Sequence, residues 1–215
     1  MAATSAGEAS VSVWGGDSLP YGVSSKKLGM WLFLMSDSLT FAAVLAAYAY
    51  GRVSSEQWPT PFPIWPSIAV ATLMTFCLLT SSITMVMAVS SAKKGNVSAT
   101  NRWLAFTILG GAAFMVLHIN EWMHLIHEGL RPFSNTWGDP PGSTPLFGAT
   151  FFTATGLHML HVTIGLVVLA NLIRGFKKGS YTSDHIEIGG LYWHFVDLVW
   201  MFIFPLLYLL SVPAP

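Results

Sequence analysis

Residues Leu191–Leu210, LYWHFVDLVWMFIFPLLYLL, combine bilayer-crossing length with an ionisable pair inside the same apolar run. A helix rising about 1.5 Å per residue needs roughly 20 residues to span the hydrocarbon core. His194 and Asp197 stand three residues apart, on one helix face, and Trp193 and Trp200 stand seven apart on an adjoining stripe. Charge in lipid is costly, so such a pair needs a partner or a task.

The whole chain fits that reading. Of its 215 residues, 53% are hydrophobic and 9% charged, against about 25% charged in soluble domains. Net charge is zero and no long basic run occurs, which argues against nucleic acid as a partner. The single cysteine, Cys77, lies in an apolar stretch, so no disulfide or cysteine-metal framework forms within one chain. Residues 1–25 are rich in Ala, Ser and Gly and lack an apolar signal-peptide core, so they are expected to form an extended N-terminal tail.

The rest, residues 26–215, reads as one all-α integral membrane domain of five transmembrane helices. The spans are expected at about 28–50, 64–90, 103–127, 146–173 and 191–212. If the helices alternate, Lys26, Lys27, Lys93, Lys94, Arg102, Arg174, Lys177 and Lys178 fall on one side and only Arg52 and Arg131 on the other. That bias puts the N-terminus in the cytoplasm and the C-terminus outside. Pro59, Pro61, Pro63 and Pro66 punctuate the approach to the second helix. The segments Gly129–Pro145 and Gly175–Gly190 read as loops.

Several polar groups lie within the spans. Asp37 reads either as a proton-linked or lipid-facing carboxyl, or as a neutral Asp tied into hydrogen bonds, with Ser36 and Ser38 as local partners. The third span carries His118, Glu121, His124, His127 and Glu128, and the fourth carries His158 and His161. Glu121-x-x-His124 has the spacing used in di-iron bundles, but no second copy exists on another helix. Counted from the basic end of each span, His158 and His161 lie about 18–22 Å deep, Glu121 about 27 Å, and His194 and Asp197 about 5–9 Å. These levels diverge, so the groups read as separate polar contacts and no metal site is expected. Trp14, Trp31, Trp58, Trp65, Trp103, Trp122, Trp137, Trp193 and Trp200 mostly fall near the expected interfaces and read as interfacial anchors. An aromatic cradle for lipid tails is the alternative.

The run YWHFVDLVW at Tyr192–Trp200 resembles the signature of haem-copper oxidase subunit III, a core subunit of respiratory terminal oxidases. FFTATGLHMLHVTIGL at Phe151–Leu166 is similar to a second segment of that family, with Met159 where Gly is common. GMWLFLMSDSLTFAAVLAAY at Gly29–Tyr48, SSITMVMA at Ser81–Ala88 and His118–Trp122 extend the resemblance over about residues 26–210. Five helices match the family's shorter form. Many cytochrome c oxidase members carry Glu at the position of Asp37, and quinol-oxidase members often carry Asp. The spacing from Glu187 to WHFVD is more similar to the cytochrome c branch.

The resemblance implies a non-catalytic subunit with no redox centre of its own. Haem and copper are expected in partner subunits I and II, possession of bound phospholipid is expected here, and a larger respiratory supercomplex is a further possible setting. The implied location is a bacterial inner membrane. By position, Asp37, Glu121, His158 and His161 are expected to line a lipid cleft or serve proton-linked roles. His194, Asp197, Trp193 and Trp200 are expected to form a structural polar brace, with no catalytic residue in this chain. Two readings contrast with this one. A stand-alone membrane metalloenzyme would use Glu121, His124, His158 and His161. A transporter built on Asp37 lacks the inverted repeat such folds show.

Overall fold

The computed structural model describes residues 24–56, 58–134, 136 and 145–212. The expected tail, Trp14 and Trp137 therefore lie outside the described residues, apart from the tail's last two positions. Among the described residues every regular element is helical, and five are long and apolar enough to cross a membrane. They are α1 (Ser25–Ser54), α2 (Ala69–Lys93), α3 (Val97–His127), α4 (Pro145–Lys177) and α5 (Ser183–Ile203). A short irregular turn, Ile64–Ile68, leads into α2. A wide turn at Phe204–Tyr208 and a tight one at Leu209–Ser211 continue α5. Pro205 has no N–H to donate, and the widened turn accommodates that loss.

Local chemistry sets the helix ends. The Ser24 side chain caps α1 by accepting from the Lys27 N–H, and Asn96 caps α3 by accepting from the Ala99 N–H. Between α2 and α3, Gly95 has φ +72°, a left-handed conformation that costs glycine little. There Gly95 N–H donates to Ala92 and Asn96 N–H to Ser91, satisfying carbonyls left open by the end of α2.

Helices α2, α3, α4 and α5 pack in a ring, each against the next, and α1 lies outside it against α4 and α5. α5 is the most enclosed, with Trp193, Trp200 and Ile203 almost wholly buried. Its tightest seat is glycine-made. A Cβ placed on Gly111 of α3 would stand 2.5 Å from the Trp193 ring, and one on Gly165 of α4 would stand 2.9 Å from it. Both helices approach α5 because neither presents a side chain there.

The bundle has one basic end, where Lys27 of α1 and Lys93 of α2 both pair with Glu187 of α5. At the other end Arg52 of α1 donates to the Leu210 carbonyl, and the Tyr48 and Ser211 hydroxyls hydrogen-bond at 3.0 Å.

Two expectations change here. The segment Gly175–Gly190 is not a loop throughout, because α5 already begins at Ser183. His194 and Asp197 are therefore about 16 and 21 Å from the start of their helix, deeper than the apolar run alone implies. Trp193 and Trp200 are core residues rather than interfacial anchors, at 1% and 0% exposure. Trp31 and Trp65 remain largely exposed.

Candidate functional site

Counted from the basic end of each helix, His194 lies about 16 Å in, Asp37 about 18 Å, Asp197 about 21 Å, His161 about 24 Å, His158 about 28 Å, His118 about 31 Å and Glu121 about 36 Å. The levels remain spread, as the sequence implies, although His194 and Asp197 lie deeper than expected, and the groups divide into separate contacts.

Asp37 meets His161 across the α1–α4 contact, Oδ2 to Nε2, at 3.1 Å. The side chains are 18% and 12% exposed, too little for water to replace the bond freely. His161 Nδ1 lies 2.8 Å from the Leu157 carbonyl, which only accepts, so Nδ1 carries a proton. One further proton then sits between Nε2 and Oδ2. The pair is neutral overall whether that proton rests on the imidazole or the carboxyl. The local partners expected for Asp37 are occupied elsewhere, since Ser36 donates to the Phe33 carbonyl and Ser38 to the Leu34 carbonyl.

His118 and His158 are both fully buried against Trp200. The His158 ring stacks on Trp200 at 5.3 Å and the His118 ring meets it edgewise at 5.5 Å, with Phe114 packed against all three. None of the four imidazole nitrogens has a hydrogen-bond partner among the described residues. Each ring packs against the Trp200 indole.

Glu121, 8% exposed, accepts from the Tyr208 hydroxyl at 2.8 Å, and its second oxygen has no partner among the described residues. His124 lies toward the helix end and faces Glu128 at 3.4 Å. The tetrad Glu121, His124, His158 and His161 is therefore spread over four different sets of neighbours. Among the described residues no group of three or more His, Cys, Asp or Glu side chains is placed to hold a metal ion.

α5 makes its polar contacts with α2. The Trp193 indole N–H donates to the Ser81 hydroxyl at 3.0 Å, and Trp200 donates to Thr75 at 2.9 Å. His194 Nδ1 hydrogen-bonds the Ser82 hydroxyl. Thr75, Ser81, Ser82 and Tyr208 are partners the sequence reading did not single out. Their signal was present, because buried indole N–H groups need acceptors and α2 offers hydroxyls mid-span.

An apolar groove of about 220 Å³ separates α1 from α5, lined by Phe41, Leu45, Phe195, Val199 and Phe202 among others. Asp37, His158 and His161 are not among its lining residues.

Five apolar helices enclosing separate polar contacts define a multi-pass membrane protein. The family profile for cytochrome c oxidase subunit III matches residues 16–212. Cytochrome c oxidase subunit 3 of Bacillus sp. (strain PS3) is 34% identical over 191 residues, covering 87% of each chain. Cytochrome c oxidase subunit 3 of Bacillus subtilis (strain 168) is 36% identical, again over 87% of each chain. Quinol oxidase subunit 3 of the same organism is 34% identical, over 86% of this chain and 87% of its own. The chain belongs to the subunit III family of the haem-copper oxidases, respiratory oxidoreductase complexes built with partner oxidase subunits.

Proposed function

We propose that the chain is a non-catalytic subunit III that packs on the catalytic subunit I beside subunit II. It binds phospholipid and supports proton uptake and enzyme stability during O2 reduction. The observation that carries this reading is the neutral Asp37–His161 pair, a protonatable contact between helices rather than an open reaction centre. Haem and copper belong to the partner subunits, where they supply electron transfer and O2 reduction. In this chain Asp37 and His161 hold a proton between α1 and α4, and Trp193 and Trp200 lock α5 to α2. The basic end lies in the cytoplasm of a bacterial inner membrane, following the distribution of Lys and Arg.

Cytochrome c is the proposed electron donor, supported by the Glu187-to-WHFVD spacing. Quinol is the second reading, favoured by Asp37 and by a similarity to the Bacillus subtilis quinol oxidase subunit nearly equal to that for its cytochrome c counterpart. Gentle solubilisation of the native complex, with mass spectrometry and an absorption spectrum, tests the assignment. Co-purification with haem-bearing partners is expected. Stoichiometric haem or metal on the isolated chain would overturn it.

A further inference from the structure

α5 is flanked by α1 on one side and α2 on the other, and those two helices pack on α5 without a comparable contact between themselves. The face of α5 between them carries Leu191, His194, Leu198 and Phe202, which fall within about 80° of one another over about 17 Å of helix. Leu191 and His194 line a groove of about 370 Å³ against α2, and Leu198 and Phe202 line the 220 Å³ groove against α1. The face is thus the floor of a valley, on which Leu198 and Phe202 are each 55% exposed. Its basic end is crossed by Glu187 of α5, paired with Lys27 of α1 and, at 3.0 Å, with Lys93 of α2.

Apolar exposure alone would suit lipid tails, but His194 does not. Its Nδ1 is taken by the Ser82 hydroxyl at 2.5 Å, and its Nε2 has no hydrogen-bond partner among the described residues. The half-buried ring lines the valley about 10 Å beyond Glu187, inside the roughly 15 Å half-thickness of the hydrocarbon. Acyl chains offer neither donor nor acceptor there, so an imidazole nitrogen left facing them costs free energy. Val86, Val89 and Leu191 wall that part of the groove, so a water beside Nε2 would have one polar partner where ordered waters need two to four.

We propose that this valley seats a transmembrane helix of a partner subunit, which offers a hydroxyl or amide side chain to His194 Nε2. Either group can donate or accept, so it satisfies the ring in either tautomer. Side-chain ridges of that helix fill the two grooves beside the α5 floor. The mouth adds a charge requirement. Glu187 neutralises only one of its two lysines, so an acidic residue at the basic end of the partner helix is drawn to the remaining charge.

The outward side of α3 is the contrasting case. Leu109 and Val116 stand exposed there seven residues apart with only apolar atoms to offer, as a lipid-facing surface requires. The seat on α5 deepens the packing on a partner proposed above and rests on it. What it adds is the face that is covered and the polar contact that sets the register.

Photo-crosslinking from benzoylphenylalanine placed at Leu198, irradiated in native membranes, tests the seat and depends on no His194 variant. A cross-link to a transmembrane segment of a different subunit is expected, identified by mass spectrometry. Adducts with lipid alone, or with a second copy of this chain, would overturn the seat. Retention of the chain on its haem-bearing partners during detergent washing then reads His194 itself. His194→Leu should raise dissociation about threefold and no more than about twentyfold, the range of interhelical hydrogen bonds in membranes, and His194→Gln should restore retention. His194→Leu also loses Ser82, so Ser82→Ala is run beside it and should stay near wild type. No loss in His194→Leu, or an equal loss in Ser82→Ala, would reduce the ring to an internal brace and overturn the contact. Either result in a complex that keeps its haem-bearing partners leaves the family role standing. A chain that purifies without them would count against that role, while the cross-link in membranes still decides the seat.

Discussion

His161 is held by two hydrogen bonds of opposite character: its Nδ1 faces the Leu157 carbonyl at 2.8 Å, and its Nε2 faces Asp37 of α1 at 3.1 Å. The first fixes the ring on its own helix, and the second ties that helix to α1. Asp37→Asn keeps a polar partner and a neutral pair, so assembly is expected to survive it. Asp37→Leu strands Nε2 in a nearly closed contact and should cost about 1–3 kcal/mol. Thermal stability of the solubilised complex separates the two, and equal losses for both variants would argue against the shared proton. If the pair also serves proton uptake, Asp37→Asn should shorten the number of turnovers before inactivation, measured as O2 consumption over time.

The glycine seat of Trp193 makes a sharper mechanical prediction. Gly111→Ala introduces a methyl 2.5 Å from the ring, which must shift together with its hydrogen bond to Ser81. Overpacking of this kind typically costs about 1–3 kcal/mol. The expected signature is a lower unfolding temperature with a changed near-ultraviolet circular dichroism band, since the indole moves. Gly29→Ala is the control, because a Cβ there meets nothing within 4 Å.

Trp200 packs against two buried imidazoles, so removing it is more than loss of apolar area. Trp200→Ala should destabilise by about 3–5 kcal/mol through the cavity it leaves. The hydrogen bond alone is smaller. A double-mutant cycle of Trp200→Phe with Thr75→Val is expected to give a coupling near 0.6 kcal/mol, and not above about 1.7. Denaturation of the complex in mild detergent measures both. A coupling of zero would mean that the indole N–H finds another acceptor when Thr75 is removed.

At the basic end Glu187 serves two lysines from two other helices, with side chains 25% to 57% exposed. Water screens such pairs, so Glu187→Gln should cost no more than about 1 kcal/mol at low salt. The difference should shrink as ionic strength rises, because the Debye length falls to about 3 Å near 1 M salt. A loss independent of salt would show that packing, rather than charge, is what Glu187 contributes.

The five spans are legible because crossing a bilayer demands only length and apolarity, and every segment declares both. The beginning of α5 is not. Ser183–Gly190 carries Asp184, His185, Glu187 and two glycines, a composition that reads as loop. What marks the helix start is Thr182, whose N–H donates to His185 Nδ1 at 3.2 Å, three residues on. That offset carried through to the depths of His194 and Asp197. Partner choice was illegible for a different reason. Periodicity reports which residues share a face, but not which helix that face meets, and Asp37 and His161 are 124 residues apart. The serines beside Asp37 were plausible partners by proximity. They bond their own helix because its carbonyls lie nearer.

The placement of α1 has a consequence for how the chain is made. It is synthesised before α4 and α5, yet it packs on both, and its Lys27, Tyr48 and Arg52 all reach residues in or just beyond α5. Ribosomes deliver those partners well after α1. During insertion, then, α1 waits in lipid without the His161 partner of Asp37 until α4 arrives. The final turn at Leu209–Ser211 closes behind it like a latch.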